Sequence, residues 1–454
     1  MRAKGKVVMD DTICSIATSL GVGAISIIRV SGNDSIKIVN SIFSGEIKEN
    51  ETHVIKYGKI INENEIIDEV LLMIMRAPKT YTREDVVEIN CHGGYTTTNK
   101  ILEILLSKGC RLAEPGEFTK RAFLNGRINL LEAEAVNELI SSTTESKRKL
   151  TLNQIGGNLT KKIENVREEL LSLMANIEVN IDYPEYTDNL VITENLLNEK
   201  LELISKDLDN LVNGAKYGKI VSDGIKVAIV GKPNVGKSSI LNHLLDEQKA
   251  IVTDVAGTTR DIVEGMISLN GIEVKLIDTA GIHNTEDIVE KIGVEKSKKA
   301  LEEADVTLLV LDGSKKLDED DKNLLNIIDH NKTIIFVNKN DQKINIDLKE
   351  DNVIYGNTLN LDGLDELKNK LIDFFNINEI NKDLTYLSNA RQIDLVNKAN
   401  ETLKTAKINL NGGIPIDMIE NDLKSCFEYL GQIIGDTYED AIIDKLFKNF
   451  CVGK

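Results

Sequence analysis

The octapeptide GKPNVGKS, Gly231 to Ser238, constrains the fold of this 454-residue chain more than any other stretch. It fits the phosphate-loop pattern G-x-x-x-x-G-K-[ST], in which glycine-rich backbone turns N–H groups towards phosphate oxygens. Lys237 is placed to neutralise the β and γ phosphates, and Ser238 to offer a hydroxyl to Mg2+. Such a loop works only between a strand and a helix. Lys226 to Val230 reads as a short buried strand, and Ser239-Ile240-Leu241-Asn242 opens a helix whose N-terminal dipole would face the anion. An α/β sheet with parallel strands is therefore expected around it.

Three further strings follow in order: GTTRD from Gly257, DTAG from Asp278 and NKND from Asn338. Thr259 can complete the Mg2+ shell, Asp278 can hold the ion through water, and the Gly281 amide can approach a γ-phosphate. Asp341 selects the base, because its carboxylate accepts from both N1–H and the 2-amino group of guanine. NKND alone reads equally as turn residues between strands; the ordered set reads as a GTP site. In the first loop its expected contacts are Asn234, Val235, Gly236, Lys237, Ser238 and Ser239. The second region supplies Thr253, Asp254, Val255, Ala256, Gly257, Thr258 and Thr259. Asp278, Thr279, Ala280 and Gly281 follow, then Asn338, Lys339 and Asp341.

Composition bounds the partners. The formal net charge of -18, with an isoelectric point near 4.9, opposes non-specific binding to nucleic-acid backbones and anionic membranes. With 9 Phe, 10 Tyr and no Trp, few aromatic residues are present on which to stack bases. Asp10 and Asp11 cut short any apolar leader, and no apolar run approaches membrane-spanning length, so a cytoplasmic protein without a membrane partner is expected. The five cysteines show no C-x-x-C pairing, so neither a zinc site nor a disulfide scaffold is expected.

Along the chain, β-type runs such as Ala24 to Val30, Val70 to Met75 and Val86 to Ile89 alternate with helical stretches at Ser35 to Ser41 and Thr96 to Ser107. That pattern predicts an α+β domain over residues 1–116. From 117 to 215 helical stretches are expected at Glu117 to Asn125, Leu130 to Ser142, Leu159 to Val179 and Thr193 to Val212, and Ile163, Val166, Leu170, Leu173, Met174 and Ile177 mark one apolar face for bundle packing. Residues 216–378 alternate strands and helices, with strands expected at Val274 to Ile277, Val306 to Leu311 and Thr333 to Asn338. Helix returns over 379–454. The predicted fold is thus multidomain α/β: an N-terminal α+β domain and a helical-bundle domain into which a P-loop GTPase domain with a mostly parallel sheet is inserted.

Outside the four strings, DTICSIATSLGVGAISIIRVSG from Asp11, APKTYTREDVVEINCHGG from Ala77, PGEFTKRAFLNGRINLLEAEAV from Pro115 and the terminal KLFKNFCVGK also carry information. Through these segments the chain resembles, from end to end, the tRNA-modification GTPases of the MnmE (TrmE) family. The resemblance implies a cytoplasmic homodimer working in a heterotetramer with an FAD-dependent MnmG-type protein. That assembly installs a carboxymethylaminomethyl or aminomethyl group on C5 of the tRNA wobble uridine. A tetrahydrofolate derivative, in the 5,10-methylene form, serves as one-carbon donor.

The resemblance also assigns residues. Ile282 follows DTAG where many GTPases place a water-orienting glutamine, and the family's glutamate falls at Glu290, which by itself reads as a solvated surface residue. No arginine finger is evident. In the family K+ takes that role, held by the Asn234 side chain and by carbonyls around Thr253, Val255 and Thr258. Arg29, Glu88, Arg127 and Lys454 correspond to folate contacts in the N-terminal domain, a carboxylate for the pterin edge and basic groups for the glutamate tail. Cys451 reads either as a nucleophile towards uridine C6 or as a small buried packing residue beside Phe450. Asn357-Thr358 replaces the family's usual S-A pair behind the guanine, a contact made by backbone amide. A ribosome-assembly GTPase, the competing reading, would carry a basic appendage such as a KH domain, and none is evident in the sequence.

Overall fold

The computed structural model describes residues 11–182, 194–247, 265–278, 301–346, 348, 352–438 and 440–453. The chain forms two compact units. One comprises 1–140, 155–194 and 405–454; the other comprises 141–154 and 195–404.

The first unit is built on a six-stranded sheet in the order β3-β4-β5-β2-β1-β6. Its strands are β1 (Ile13–Ile16), β2 (Ile25–Ser31), β3 (Val54–Asn62), β4 (Glu65–Met75), β5 (Val86–His92) and β6 (Arg111–Leu112). All pairings are antiparallel except β1 with β6. Strict alternation decides which side chains go where. Ile28, Val30, Val70, Leu72, Ile74, Val87 and Ile89 are buried in one cluster, together with Ile36 and Val39 of α1 (Ser35–Asn40) and Ile101, Ile104 and Leu105 of α2 (Tyr95–Ser107). The intervening residues therefore lie on the other face, where the ladder sets Arg29 opposite Glu88 and Glu88 opposite Met73.

The helical part of this unit runs through α3 (Glu117–Leu124), α4 (Leu130–Ile140) and the 25-residue α6 (Asn158–Asp182). The stripe from Ile163 to Ile177 predicted to face a bundle is buried throughout, and α6 packs against the helix Ile416–Ile434. That helix is α13, and the short α14 (Asp440–Phe447) follows it. Phe447 and Phe450 pack on Phe123, Leu130 and Ala133, which fixes the start of the C-terminal tail.

The second unit contains α5 (Glu145–Ile155), the 30-residue α7 (Glu194–Asp223) and most of α12 (Ala390–Asn411) beside a second six-stranded sheet, β12-β11-β10-β7-β9-β8. It joins β7 (Ile225–Val230), β8 (Gly265–Leu269), β9 (Ile272–Asp278), β10 (Val306–Asp312), β11 (Thr333–Asn338) and β12 (Val353–Tyr355). Every pairing is parallel except β8 with β9, as the sequence predicted for a mostly parallel sheet. Val227 and Ile229 enter one core with Leu241 and Leu244 of α8 (Lys237–Glu247) and Leu367 of α10 (Leu364–Phe374). Ala228 and Val230 enter another with Leu324 and Leu325 of α9 (Glu319–Ile327). Burial on both faces is why these strands read as unbroken apolar runs. The short α11 (Ile377–Ile380) follows α10.

Candidate functional site

The phosphate loop leaves the C-terminal end of β7 and enters α8 at Lys237, so it lies at the carboxyl edge of a parallel sheet, where α/β folds place their ligands. Asn234 adopts a left-handed φ of 63°, a conformation that asparagine tolerates better than most residues, and it is exposed, as are Ser238 and Ser239. Gly236 at φ 108° sits so tightly that a Cβ there would collide with Asn338 Nδ2. Lys237 is only 5 % exposed. Its ammonium donates to the carbonyl oxygens of Gly231 at 2.6 Å and Lys232 at 2.7 Å, within the loop that it serves.

Asn338 ends β11 and ties the site together. Its side-chain amide donates to the Val235 carbonyl at 2.8 Å, and its Oδ1 accepts from the Thr358 amide at 3.1 Å. The backbone group expected behind the guanine is therefore engaged by Asn338. Lys339 donates to Asp312 Oδ2 at 2.7 Å. Burial pushes the Asp312 carboxyl up, but hydrogen bonds from Lys339 and Ser314 outweigh it and hold the group below its ordinary value. Asp341 is exposed beyond β11, free to meet a base edge. The backbone of Asp278 ends β9 beside Ile229 of β7, two residues before the phosphate loop begins at Gly231. The expected contacts Thr253, Asp254, Val255, Ala256, Gly257, Thr258, Thr259, Thr279, Ala280, Gly281 and Glu290 lie outside the described residues, as does the side chain of Asp278.

In the N-terminal unit the structure gathers three of the four expected folate contacts. Arg29 Nε donates to Glu88 Oε1 at 2.8 Å, both side chains being 16 % exposed, and an Arg29 terminal nitrogen donates to the Gly453 carbonyl at 3.2 Å. The Arg29 guanidinium lies 5.7 Å from the Tyr81 ring and 5.6 Å from that of Phe118. Arg127, itself exposed, stacks over the same Tyr81 ring at 4.7 Å. Lys454 lies outside the described residues, yet the tail reaches the site as far as Gly453. Its φ of 89° and its close approach to Ile16 O leave no room for a side chain. Cys451 is exposed, and its carbonyl accepts from the Gly116 amide at 3.2 Å. That exposure overturns the reading of Cys451 as a buried packing residue; Phe450, 8 % exposed, takes the packing role.

Tyr81 and Phe118 were missed from sequence. Both lie inside the quoted segments APKTYT and PGEFTK, and an aromatic residue flanked by polar ones was the available signal. Arg121 was missed too. It is 1 % exposed and binds Glu84, Glu117 and Asp11, holding α3 beneath the sheet.

Two family models match the chain: GTP-binding protein TrmE N-terminus over residues 12–127, and MnmE helical domain over 130–451. Among curated relatives, tRNA modification GTPase MnmE of Streptococcus thermophilus is 50% identical over 449 residues, 98% of each chain. Its namesake in Ligilactobacillus salivarius is 49% identical over 455 residues, again 98% of each. That of Lactiplantibacillus plantarum is 48% identical over 456 residues with the same coverage. With a phosphate loop, a guanine-type Asn338 brace and end-to-end similarity in agreement, the chain belongs to the tRNA modification GTPase MnmE family and is a GTP hydrolase.

Proposed function

We propose that this chain is a K+-dependent GTPase that acts with an FAD-dependent MnmG-type partner. Together they form 5-carboxymethylaminomethyl or aminomethyl uridine at the tRNA wobble position. The observation that carries the folate part is the convergence of Arg29, Glu88 and Arg127 around Tyr81, with the tail closing on Arg29 at Gly453. The residues fit the ligand. Glu88 keeps Oε2 without a protein partner among the described residues, an acceptor for the paired donors of a pterin edge, while Arg29 fixes the carboxylate's orientation. The exposed Arg127 is suited to a tail carboxylate, and the family resemblance gives Lys454 the same role. A bound tetrahydrofolate derivative would supply the one-carbon unit.

In the nucleotide unit, Ser238 and Thr259 would hold Mg2+, and Asn234 with the carbonyls of Thr253, Val255 and Thr258 would hold K+. Exposure of Asn234 and Ser238 on the same loop as Lys237 supports both assignments. Glu290 would orient the attacking water. We assign 1–116 to folate binding and dimerisation, 117–215 and 379–454 to the helical domain and 216–378 to the GTPase domain. A homodimer is supported by the open face of the first sheet, where Ile25, Ile55, Tyr57 and Leu71 are exposed together, and a cytoplasmic location follows from the family reading. The reading is tested by mass analysis of wobble uridines from cells with and without the chain. Loss of the aminomethyl-type modifications in its absence is expected; an unchanged nucleoside profile overturns it.

A further inference from the structure

From the contacts of its ammonium, we infer that Lys232, the second residue of the phosphate loop, is a positioning residue that ties the loop to the N-terminus of α9 and does not bind phosphate. A lysine at this place in GKPNVGKS invites the opposite reading, as a second cation for the nucleotide. Its side chain points elsewhere. The ammonium lies 2.5 Å from Asp318 Oδ2 and 2.8 Å from Asp321 Oδ2. These two carboxylates form the capping box of α9: Asp318 accepts from the Asp321 amide at 3.1 Å, and Asp321 from the Asp318 amide at 3.3 Å.

Two facts make this more than a surface ion pair. Asp321 is 6 % exposed, and its Oδ1 is buried with no hydrogen-bond partner, so Lys232 is the cation that compensates a carboxylate already short of partners. The same residue's carbonyl, with that of Gly231, holds the Lys237 ammonium. Side chain and main chain of Lys232 thus hold different partners from one Cα. The first anchors on α9, and the second presents the lysine that must reach the β and γ phosphates. Removing the side chain releases the carbonyl's position and leaves two carboxylates facing a loop that has to accept a polyanion.

The test is a set of full-length variants, Lys232→Met, Lys232→Arg, Asp321→Asn and Lys232→Met/Asp321→Asn, assayed for steady-state GTP hydrolysis and for binding of N-methylanthraniloyl-GDP. For Lys232→Met the expectation is a KM for GTP raised about tenfold with kcat within about twofold, the pattern of lost uniform binding. Lys232→Arg should restore the parent KM. Asp321→Asn alone decides between the two roles of the lysine. A positioning lysine loses part of its anchor, so KM rises; a phosphate-binding lysine is freed from its carboxylate, so KM falls. The double variant should bind better than Lys232→Met, because the unpaired buried charge is gone, and it keeps the comparison available if Lys232→Met does not fold. Parent-like KM in Lys232→Met, or a lowered KM in Asp321→Asn, overturns the inference.

Discussion

Arg29 and Glu88 face each other across the β2–β5 ladder, Nε to Oε1 at 2.8 Å, on the sheet face that α1 and α2 leave uncovered. In solvent such a pair contributes about 0–1 kcal/mol, and its value lies in fixing a carboxylate where a ligand can use the second oxygen. If that oxygen anchors a pterin, Glu88→Ala should abolish binding of 5-formyltetrahydrofolate by calorimetry, since the ligand's donors would be left unpaired. Tyr81→Leu should weaken it by several-fold, because Arg29 and Arg127 both rest on that ring. Affinity should fall with salt through the Arg127–tail contact. Parent-like affinity in Glu88→Ala would place the folate elsewhere.

The tail makes a separate prediction. Gly453 has no space for a Cβ beside Ile16 O and supplies the carbonyl that Arg29 holds. Gly453→Val should therefore displace the last residues from the sheet and weaken folate binding to about the level of a chain lacking 451–454. Melting temperature should be unaltered, since the packing of Phe447 and Phe450 precedes the lesion. A Gly453→Val protein with full folate affinity would mean that tail docking does not contribute.

Asn338 bridges the phosphate loop and the segment after β12 through Val235 O and Thr358 N. Asn338→Ala strands both groups in a buried setting, at about 1–3 kcal/mol for each unsatisfied partner. Affinity for fluorescent GDP should fall at least about tenfold while the folate site is unaffected. Equal GDP affinity in parent and variant would contradict the bridging role.

Acid should unpick the N-terminal unit through Glu117. Burial raises its carboxyl, but hydrogen bonds from Arg111, the Glu114 amide and Arg121 outweigh that and set the folded group below its ordinary value of 4.5. A lowered carboxyl contributes stability that is complete above 4.5 and is lost as pH falls through the folded value. Thermal melts below that pH should drop more steeply in the parent than in Glu117→Gln, which has no such proton to take up. Parallel acid limbs for the two proteins would remove Glu117 from the explanation.

How much of this was legible in the sequence follows from burial. The strands β7, β10 and β11 are covered on both faces and read as apolar runs, and β2, β4 and β5 are covered on one face and alternate. By contrast β3 buries only Ile60 fully while Ile55 and Tyr57 stand 63% and 70% exposed, so its pairing with β4 defines it better than its own pattern does. Helix α5 was hidden because its buried side chains are mostly polar: Ser146, Thr151 and Gln154 beside Leu150. Arg29 and Glu88 came from family resemblance, and only the ladder register makes them neighbours. Tyr81 joins them because α3 lays Thr119 against its hydroxyl at 2.9 Å, a contact between segments 38 residues apart that no local spacing encodes.

The remaining prediction concerns the cation. Asn234 is exposed at a left-handed φ of 63° in the phosphate loop, and the Lys237 ammonium rests on loop carbonyls where charge would grow between the transferred and leaving phosphates. A cation held by the Asn234 oxygen would meet that charge, and an ion smaller than its pocket would be held poorly. GTP turnover should therefore be several-fold or more faster in potassium chloride than in matched sodium chloride, and Asn234→Ala should lose the difference while still binding GDP. Glu290→Ala should bind GTP normally and lose most turnover in either salt, since orienting water matters only as the transition state forms. Equal rates in the two salts, or full K+ stimulation in Asn234→Ala, would remove the cation from the mechanism. Parent-rate hydrolysis in Glu290→Ala would return that residue to the solvated surface role its sequence context alone suggests and require another group to align the water.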